Sequence, residues 1–377
     1  MGNINTYLRN DCTETFEQRE FTDVDSLILC HLAYLHFGRS IGGLHKNLKD
    51  NIAFSSLDKP RKLVTFKANN KEFINKEYYK TLVALLNEKD VRFRNVEMNY
   101  HLSFLRKKPA IQFSAIVYFL DDKRVYIAFR GSDGSTAGYR EDMEMSFSNS
   151  LPGQKVAVKY LDEVISKLSN DKIIFIGGHS KGGNFAKYAF LYSRYKDRIK
   201  KIFDHDGPGF LENIEADPDY KEMCLKLVRS VPEYDVVGLL LYNPQQKKVV
   251  LSSATSPLEQ HFPHTWKIEK KMFLCKDTTT KASKTIDISI RLWLKELPIA
   301  KRRKVVRLVF DVLEKNNISS IDDFKMGAFK KMRIIFKTYS AVNPEDKKLI
   351  RNTLYSLFRC MFSAKKEVET IQLKETN

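Results

Sequence analysis

The segment that most limits what this chain can become is Ile173-Ile174-Phe175-Ile176-Gly177-Gly178-His179-Ser180-Lys181-Gly182-Gly183. Its first four residues are apolar on both faces, the pattern of a strand buried in a covered parallel sheet. The stretch Lys181–Tyr195 that follows has helical periodicity. Between them Gly178, Ser180 and Gly182 form Gly-x-Ser-x-Gly. A serine at such a strand-to-helix bend sits in a strained backbone conformation with its hydroxyl raised above the sheet. Small residues two places away on either side let strand and helix crowd together there. The sequence therefore predicts an α/β fold in which Ser180 is a nucleophile. The backbone N–H of Lys181, first in the helix, would face a developing oxyanion. The Lys181 side chain is expected to leave the helix start toward solvent; the competing reading is that it favours an acidic acyl chain or a phosphate head group.

The flanking sequence alternates strands and helices. Phe113–Leu120 and Arg124–Arg130 read as a hairpin-like strand pair around Asp121-Asp122-Lys123. Val156–Leu168 reads as a helix, and Lys201–Asp204, Leu225–Val231 and Lys247–Ser252 read as strands. This alternation implies a mostly parallel sheet with helices on both faces. Upstream, Asp25–Phe37 and Glu77–Lys89 read as helices within an N-terminal segment of about 110 residues. After about Lys284 the strands stop. Ile288–Leu297, Lys301–Asn316, Ala328–Tyr339 and Asp346–Phe362 read as amphipathic helices, with Pro298 and Pro344 marking breaks. The expected organisation is a catalytic-type α/β domain over residues 1–285 and a basic helical subdomain over 286–377.

Charge sharpens that division. Of the net charge of +18, +10 lies from Arg291 onward, where 20 Lys and Arg face 10 Asp and Glu. Such a surface attracts nucleic-acid phosphates or anionic lipid, although a solvated helix surface has the same composition. No zinc spacing, RNP-like aromatic strand or helix-turn-helix supports nucleic acid as the partner. No apolar run approaches the roughly 20 residues needed to cross a bilayer. The first nine residues hold no apolar core of a secretory signal, while Met1–Thr6 fits the spacing of an N-myristoylation site. Cys12, Cys30, Cys224, Cys275 and Cys360 are widely spread with no Cys-x-x-Cys. They read as reduced thiols in a cytoplasmic protein, with no metal site.

Ser180 needs a base and an orienting acid, and in this kind of fold the chain order is Ser, then Asp or Glu, then His. The histidines after Ser180 are His205, His261 and His264. His205 comes early for the base; His261 and its alternative His264 follow the last strand, where the base loop is expected. Asp235 sits just after Leu225–Val231, the usual place for the acid. Asp206, at a Gly-Pro-Gly turn after the preceding strand, is the competing acid.

Gly178-His179-Ser180-Lys181-Gly182-Gly183-Asn184-Phe185-Ala186 resembles the elbow of an uncharacterised bacterial family of the α/β-hydrolase superfamily, similar to class 3 lipases. The likeness extends to Phe21-Thr22-Asp23-Val24-Asp25, Gln112-Phe113-Ser114-Ala115 and Ala128-Phe129-Arg130-Gly131-Ser132-Asp133. It continues through Gly138-Tyr139-Arg140-Glu141-Asp142-Met143, Asp206-Gly207-Pro208-Gly209-Phe210, Val231-Pro232 with Asp235, and Gln260-His261 with Trp266. The resemblance implies that Ser132 supplies a second oxyanion donor, that Asp235 is the acid and that His261 is the base. Lys181 departs from it, standing where those lipases usually carry an apolar residue.

The expectation is a serine hydrolase of the esterase or lipase kind, needing no metal or organic cofactor. Its substrate would be a small-molecule or lipid ester, met at an anionic membrane surface. Two other classes compete: a non-catalytic interaction protein on the same scaffold, and a nucleic-acid binder acting through the basic helices.

Overall fold

Nine strands line up in one sheet in the order in which the chain makes them. They are β1 (Ile52–Ala53), β2 (Glu97–Arg106), β3 (Ile111–Phe119), β4 (Arg124–Phe129) and β5 (Ile173–His179). They continue as β6 (Ile199–His205), β7 (Leu227–Pro232), β8 (Lys248–Val250) and β9 (Cys275–Lys276). Strands β4 to β8 run parallel, and β1 to β3 and β9 add antiparallel margins. This computed structural model describes all residues except 1, 39, 46–49, 58–61, 64, 69–70, 88–91, 213, 215, 317–338, 341 and 376–377, and describes only the backbone of 65–68, 71–74 and 371–375.

The central strands are buried on both sides because alternate residues feed two cores. Val125, Ile127 and Phe129 join Ile174, Ile176 and Ile202 in one apolar cluster. That cluster is closed by residues of the helices 152–167 and 181–192, the second of which starts directly after Ser180. Tyr126, Ala128, Phe175 and Phe203 point the other way, into a cluster built largely from the N-terminal segment. Helix α1 (Asp23–Leu32) lies across that face with Val24, Leu27 and Ile28 fully buried. Its start is fixed by a capping box: Thr22 and Asp25 exchange side-chain-to-backbone hydrogen bonds. Phe21, just before the box, packs on Tyr126, Phe175 and Phe203 with ring centroids 5.0–5.4 Å apart. The N-terminal segment is thus the second layer over the sheet. The architecture is a mostly parallel α/β sheet with helices on both faces.

Strand β2 has no counterpart in the sequence reading. Of its residues only Met98 and Asn99 are buried, and its register against β3 shifts between Asn99 and Leu102. That erases the alternation by which strands are recognised. Three further helices matter below: α2 (Thr136–Glu144), α3 (Pro152–Lys167) and α4 (Lys181–Tyr192).

Downstream of the sheet come α5 (Lys281–Glu296), α6 (Ile299–Lys315) and α7 (Pro344–Glu375). The expected helix Ala328–Tyr339 lies, but for its last residue, outside the described residues. Helix α7 packs on α5, with Trp293 Nε1 donating to the Thr353 carbonyl and to Ser356 Oγ. Arg140 of α2 pairs with Glu314 of α6 at 3.0 Å, and Arg302 donates to the Ser146 carbonyl, so these helices are joined to the body. Among the described residues no helix is long and apolar enough to cross a membrane.

Candidate active site

Strand β5 ends at His179 and α4 begins at Lys181, leaving one residue, Ser180, to make the bend. Its φ of 59° and ψ of −133° fall where L-residues rarely sit. Crowding imposes this. A Cβ added at Gly178 would lie 2.1 Å from the carbonyl carbon of Gly182, and one at Gly182 would lie 2.0 Å from the Phe129 oxygen. Neither position admits any other residue without moving the strand or the helix. The Ser180 N–H donates to the His205 carbonyl at 2.9 Å, which ties the bend to the neighbouring strand.

That neighbour supplies a carboxylate. His179 and His205 are register partners in the parallel pair β5–β6, so the next residues, Ser180 and Asp206, emerge side by side at the same sheet edge. Asp206 also has positive φ, 55°. Two adjacent non-glycine residues held this way mark a place where the fold stores backbone strain. Asp206 Oδ1 accepts the Gly238 N–H at 2.9 Å, and its Oδ2 lies 2.6 Å from His261 Nδ1. Burial pushes the Asp206 carboxyl up to about 6 and the His261 imidazole down to about 4. At neutral pH the pair is therefore a carboxylate and a neutral ring. With Nδ1–H donating to Asp206, the free lone pair is on Nε2, the arrangement a general base requires. No hydrogen bond joins the Ser180 hydroxyl to His261 among the described residues. Contacts of that kind commonly close only around substrate.

The loop carrying His261 is held from three sides. Gln260 accepts the Tyr234 N–H at 2.9 Å through its side chain and the Trp266 Nε1–H at 2.8 Å through its carbonyl. His179 Nε2–H donates to the His261 carbonyl at 2.7 Å, and the two rings lie 4.5 Å apart. The residue preceding the serine thus orients the histidine backbone. Sequence reasoning gave His179 no role; its only signal was its place inside the Gly-x-Ser-x-Gly motif.

The sequence model of the Mbeg1-like family matches residues 87–311, which include Ser180, Asp206, Asp235 and His261. The chain belongs to the Mbeg1-like family. No curated protein matches it. Five chains of solved structures do. One of them, titled "Crystal structure of M37 lipase", is 16% identical, with 58% of this chain and 70% of that chain covered and a TM-score of 0.32.

The remaining expected residues of this Mbeg1-like chain fall in places the sequence did not disclose. His261 meets Asp206, not Asp235. Asp235 follows β7, one strand farther out, and its backbone carbonyl is held by Ser283 Oγ of α5 at 2.7 Å. From there its side chain reaches Asp206 and Lys247, and it acts on the histidine through charge, with no hydrogen bond to the ring among the described residues. The alternative base His264 has no carboxylate in hydrogen-bonding contact among the described residues, Glu77 acting on it only through charge: its ring stacks on Phe262 and faces His31, while its carbonyl accepts from Asn3. His205 is buried, bonded to Ser26 Oγ at 2.9 Å and pushed down to about 4 by burial.

Lys181 does not reach solvent. It is 1% exposed, with Nζ 3.0 Å from Glu141 and 3.7 Å from Asp142 of α2. The side chain runs inward along Phe185 to the Glu141–Asp142 pair of α2. Ser132 Oγ donates to Asp142 Oδ2 at 2.6 Å. The two residues expected to hold an oxyanion are thus tied to the same pair of carboxyls.

Proposed function

We propose that this chain is a serine hydrolase of carboxylic esters or related acyl bonds, with Ser180 as nucleophile, His261 as base and Asp206 as the orienting acid. What carries the reading is the short Asp206–His261 hydrogen bond beside a serine held at positive φ. His261 Nε2 takes the hydroxyl proton as Ser180 Oγ attacks the carbonyl carbon, and Asp206 stabilises the resulting imidazolium. The backbone N–H groups of Lys181 and Ser132 receive the oxyanion. The imidazolium then protonates the leaving alcohol, and water, deprotonated by His261, releases the acyl group and restores Ser180.

An acyl chain of lipid type is the substrate the surroundings favour. Phe262, next to His261, and Met143 and Tyr139 of α2 leave large apolar side chains exposed around these residues. Helix α7 supports an anionic membrane surface as the place of action. It exposes Leu354, Tyr355, Phe358 and Phe362 along one stripe with Arg351 and Arg359 beside them. In this reading the chemistry belongs to residues 1–285, and 286–377 serve contact with that surface. Five free cysteines suit a reducing cytoplasm.

The test is covalent. A fluorophosphonate probe should label the full chain at Ser180, and Ser180→Ala should abolish labelling and lower hydrolysis of short p-nitrophenyl esters by on the order of 10⁶. Well-folded wild-type protein that neither labels nor hydrolyses would end the proposal.

A further inference from the structure

Behind the Asp206–His261 pair lies a second carboxyl that the mechanism does not use. Asp235 is completely buried. Neither of its oxygens accepts an N–H or hydroxyl donor among the described residues. It crowds Asp206: a Cβ placed on Gly238 would lie 2.6 Å from Asp206 Oδ1 and 3.0 Å from Asp235 Oδ2, so both oxygens border one small space. Two ionised carboxylates do not persist in that arrangement, and one must hold a proton.

The donors decide which one. Asp206 receives the Gly238 N–H and faces His261 Nδ1, both of which favour its charged form. The other charged groups around Asp235 do not offer it the same. Lys247 Nζ stands 3.9 Å away on a partly exposed side chain. Arg229 of β7 gives its guanidinium to the carbonyls of Gly238, Asn243 and Gln245, and its Nε stands 3.7 Å from Asp204. From α5 Asp235 receives only the Ser283 hydroxyl, on its backbone oxygen.

We propose that Asp235 is a positioning residue that stays a neutral acid at neutral pH and donates its proton in a hydrogen bond to the Asp206 carboxylate, fixing the face that Asp206 turns to His261. The site is then a relay of four side chains, Ser180, His261, Asp206 and Asp235, in which only Asp206 carries charge at rest. The direction of titration agrees: burial, and then the Asp206 charge, hold the Asp235 carboxyl well above the usual range. The inference rests on the hydrolase reading for its catalytic meaning, but not for its proton.

The experiment separates the two. Carboxyl ¹³C resonances of aspartate-labelled full-length protein are followed from pH 5 to 9 in wild type and in Asp235→Asn, which identifies the Asp235 signal. Asp235 should remain at the protonated position at pH 7, with or without catalysis. In parallel, fluorophosphonate labelling of Ser180 is timed. Asp235→Asn, whose amide donates the same hydrogen bond, should label within about threefold of wild type, and Asp235→Val about tenfold or more below it. Lys247→Met should leave the Asp235 resonance protonated and the labelling rate unchanged. A wild-type Asp235 already ionised at pH 6, or an Asp235→Asn protein as slow as Asp206→Asn, would overturn the proposal. Failure of the wild type to label would sink the hydrolase reading alone, because the resonance still reports the proton.

Discussion

Helix α4 buries two lysines, and each binds the helix to a different flank of the site. Lys181, at the first turn, meets Glu141 and Asp142 and through Asp142 reaches Ser132, on the side where an oxyanion would form. Lys187, six residues on, lies 2.7 Å from Asp204, with Arg229 3.7 Å from the same carboxylate, on the side of Asp206. Both lysines are almost wholly desolvated. They differ in what lies beyond them. The Lys181 cluster ends on residues whose backbone N–H groups would bind substrate. The Lys187 cluster ends in the turn that aims the acid, where Asp204 Oδ1 accepts the Gly207 N–H at 2.9 Å. One flank of the elbow would hold developing charge, and the other fixes a carboxylate.

The comparison breaks most readily at the two aspartates that close the clusters. Asp206→Asn keeps the shape of the acid but presents an amide to His261, favouring the wrong tautomer, and should slow Ser180 labelling by on the order of 10⁴. Asp142→Asn only loosens the loop of Ser132 and should cost on the order of 10- to 100-fold, less than the loss of one oxyanion donor. Labelling rates of the two purified variants at pH 7.5 check this. Equal rates would mean that the flanks are not differentiated.

How much of this was readable in advance depends on how far apart in sequence the decisive contacts are. The elbow is local. Strand, bend and helix are contiguous from Ile173 to Tyr192, and Gly178 and Gly182 declare the crowding at that bend. The choice between Asp206 and Asp235 is not local, since it depends on which residue follows a strand in register with β5. The pairing of His179 with His205 is what brings Asp206 beside Ser180. An aspartate beside Gly-Pro-Gly reads as a turn former because most are, and this one is also a turn, at positive φ. The burial of Lys181, expected in solvent, has a related reason, which holds for Lys187 as well. Their carboxylate partners come from α2 and β6, 40 residues before Lys181 and 17 residues after Lys187. A lysine at a helical position is most simply solvated unless such a partner is known. Acidic residues at the ends of apolar strands, as in Phe203-Asp204-His205-Asp206, were the available sign that buried cations must lie nearby.

Stability sharpens the contrast next. Replacing either lysine with methionine strands a buried carboxylate, and each change should lower unfolding free energy by about 3–5 kcal/mol. The two variants should part in what survives. Lys187→Met leaves the Ser132 and Lys181 backbone in place, so at a temperature where it is folded it should label with a rate limited only by the acid turn. Lys181→Met also frees Glu141 and Asp142, which burial already holds above the usual carboxylate range. Its labelling should become sensitive to pH in a range where wild type is flat. Denaturant titration followed by labelling of the folded fraction measures both effects.

The smallest effect is the most specific to the acid flank, and its sign follows from the pair itself. At pH 7 Asp206 and His261 share one proton, on Nδ1. As pH falls the next proton enters the pair at about 6, because burial has raised the Asp206 carboxyl to that value, while His261 alone is held near 4. Either location of that proton removes the competent state: on Asp206 it deprives the Nδ1–H of its acceptor, and on His261 it occupies the lone pair that should receive the Ser180 proton. Labelling should therefore drop about tenfold per pH unit below 6 in wild type. In Asp142→Asn the same limb should stay where it is, since Asp142 bears on the ring, held near 4, and not on the Asp206 carboxyl that takes up the proton. In Asp206→Asn the limb should move down toward 4, because only the ring is left to titrate and its burial outweighs the charges of Asp235 and Asp142 nearby. A limb that fails to move in Asp206→Asn would assign the proton to some other group, and with it the orienting role.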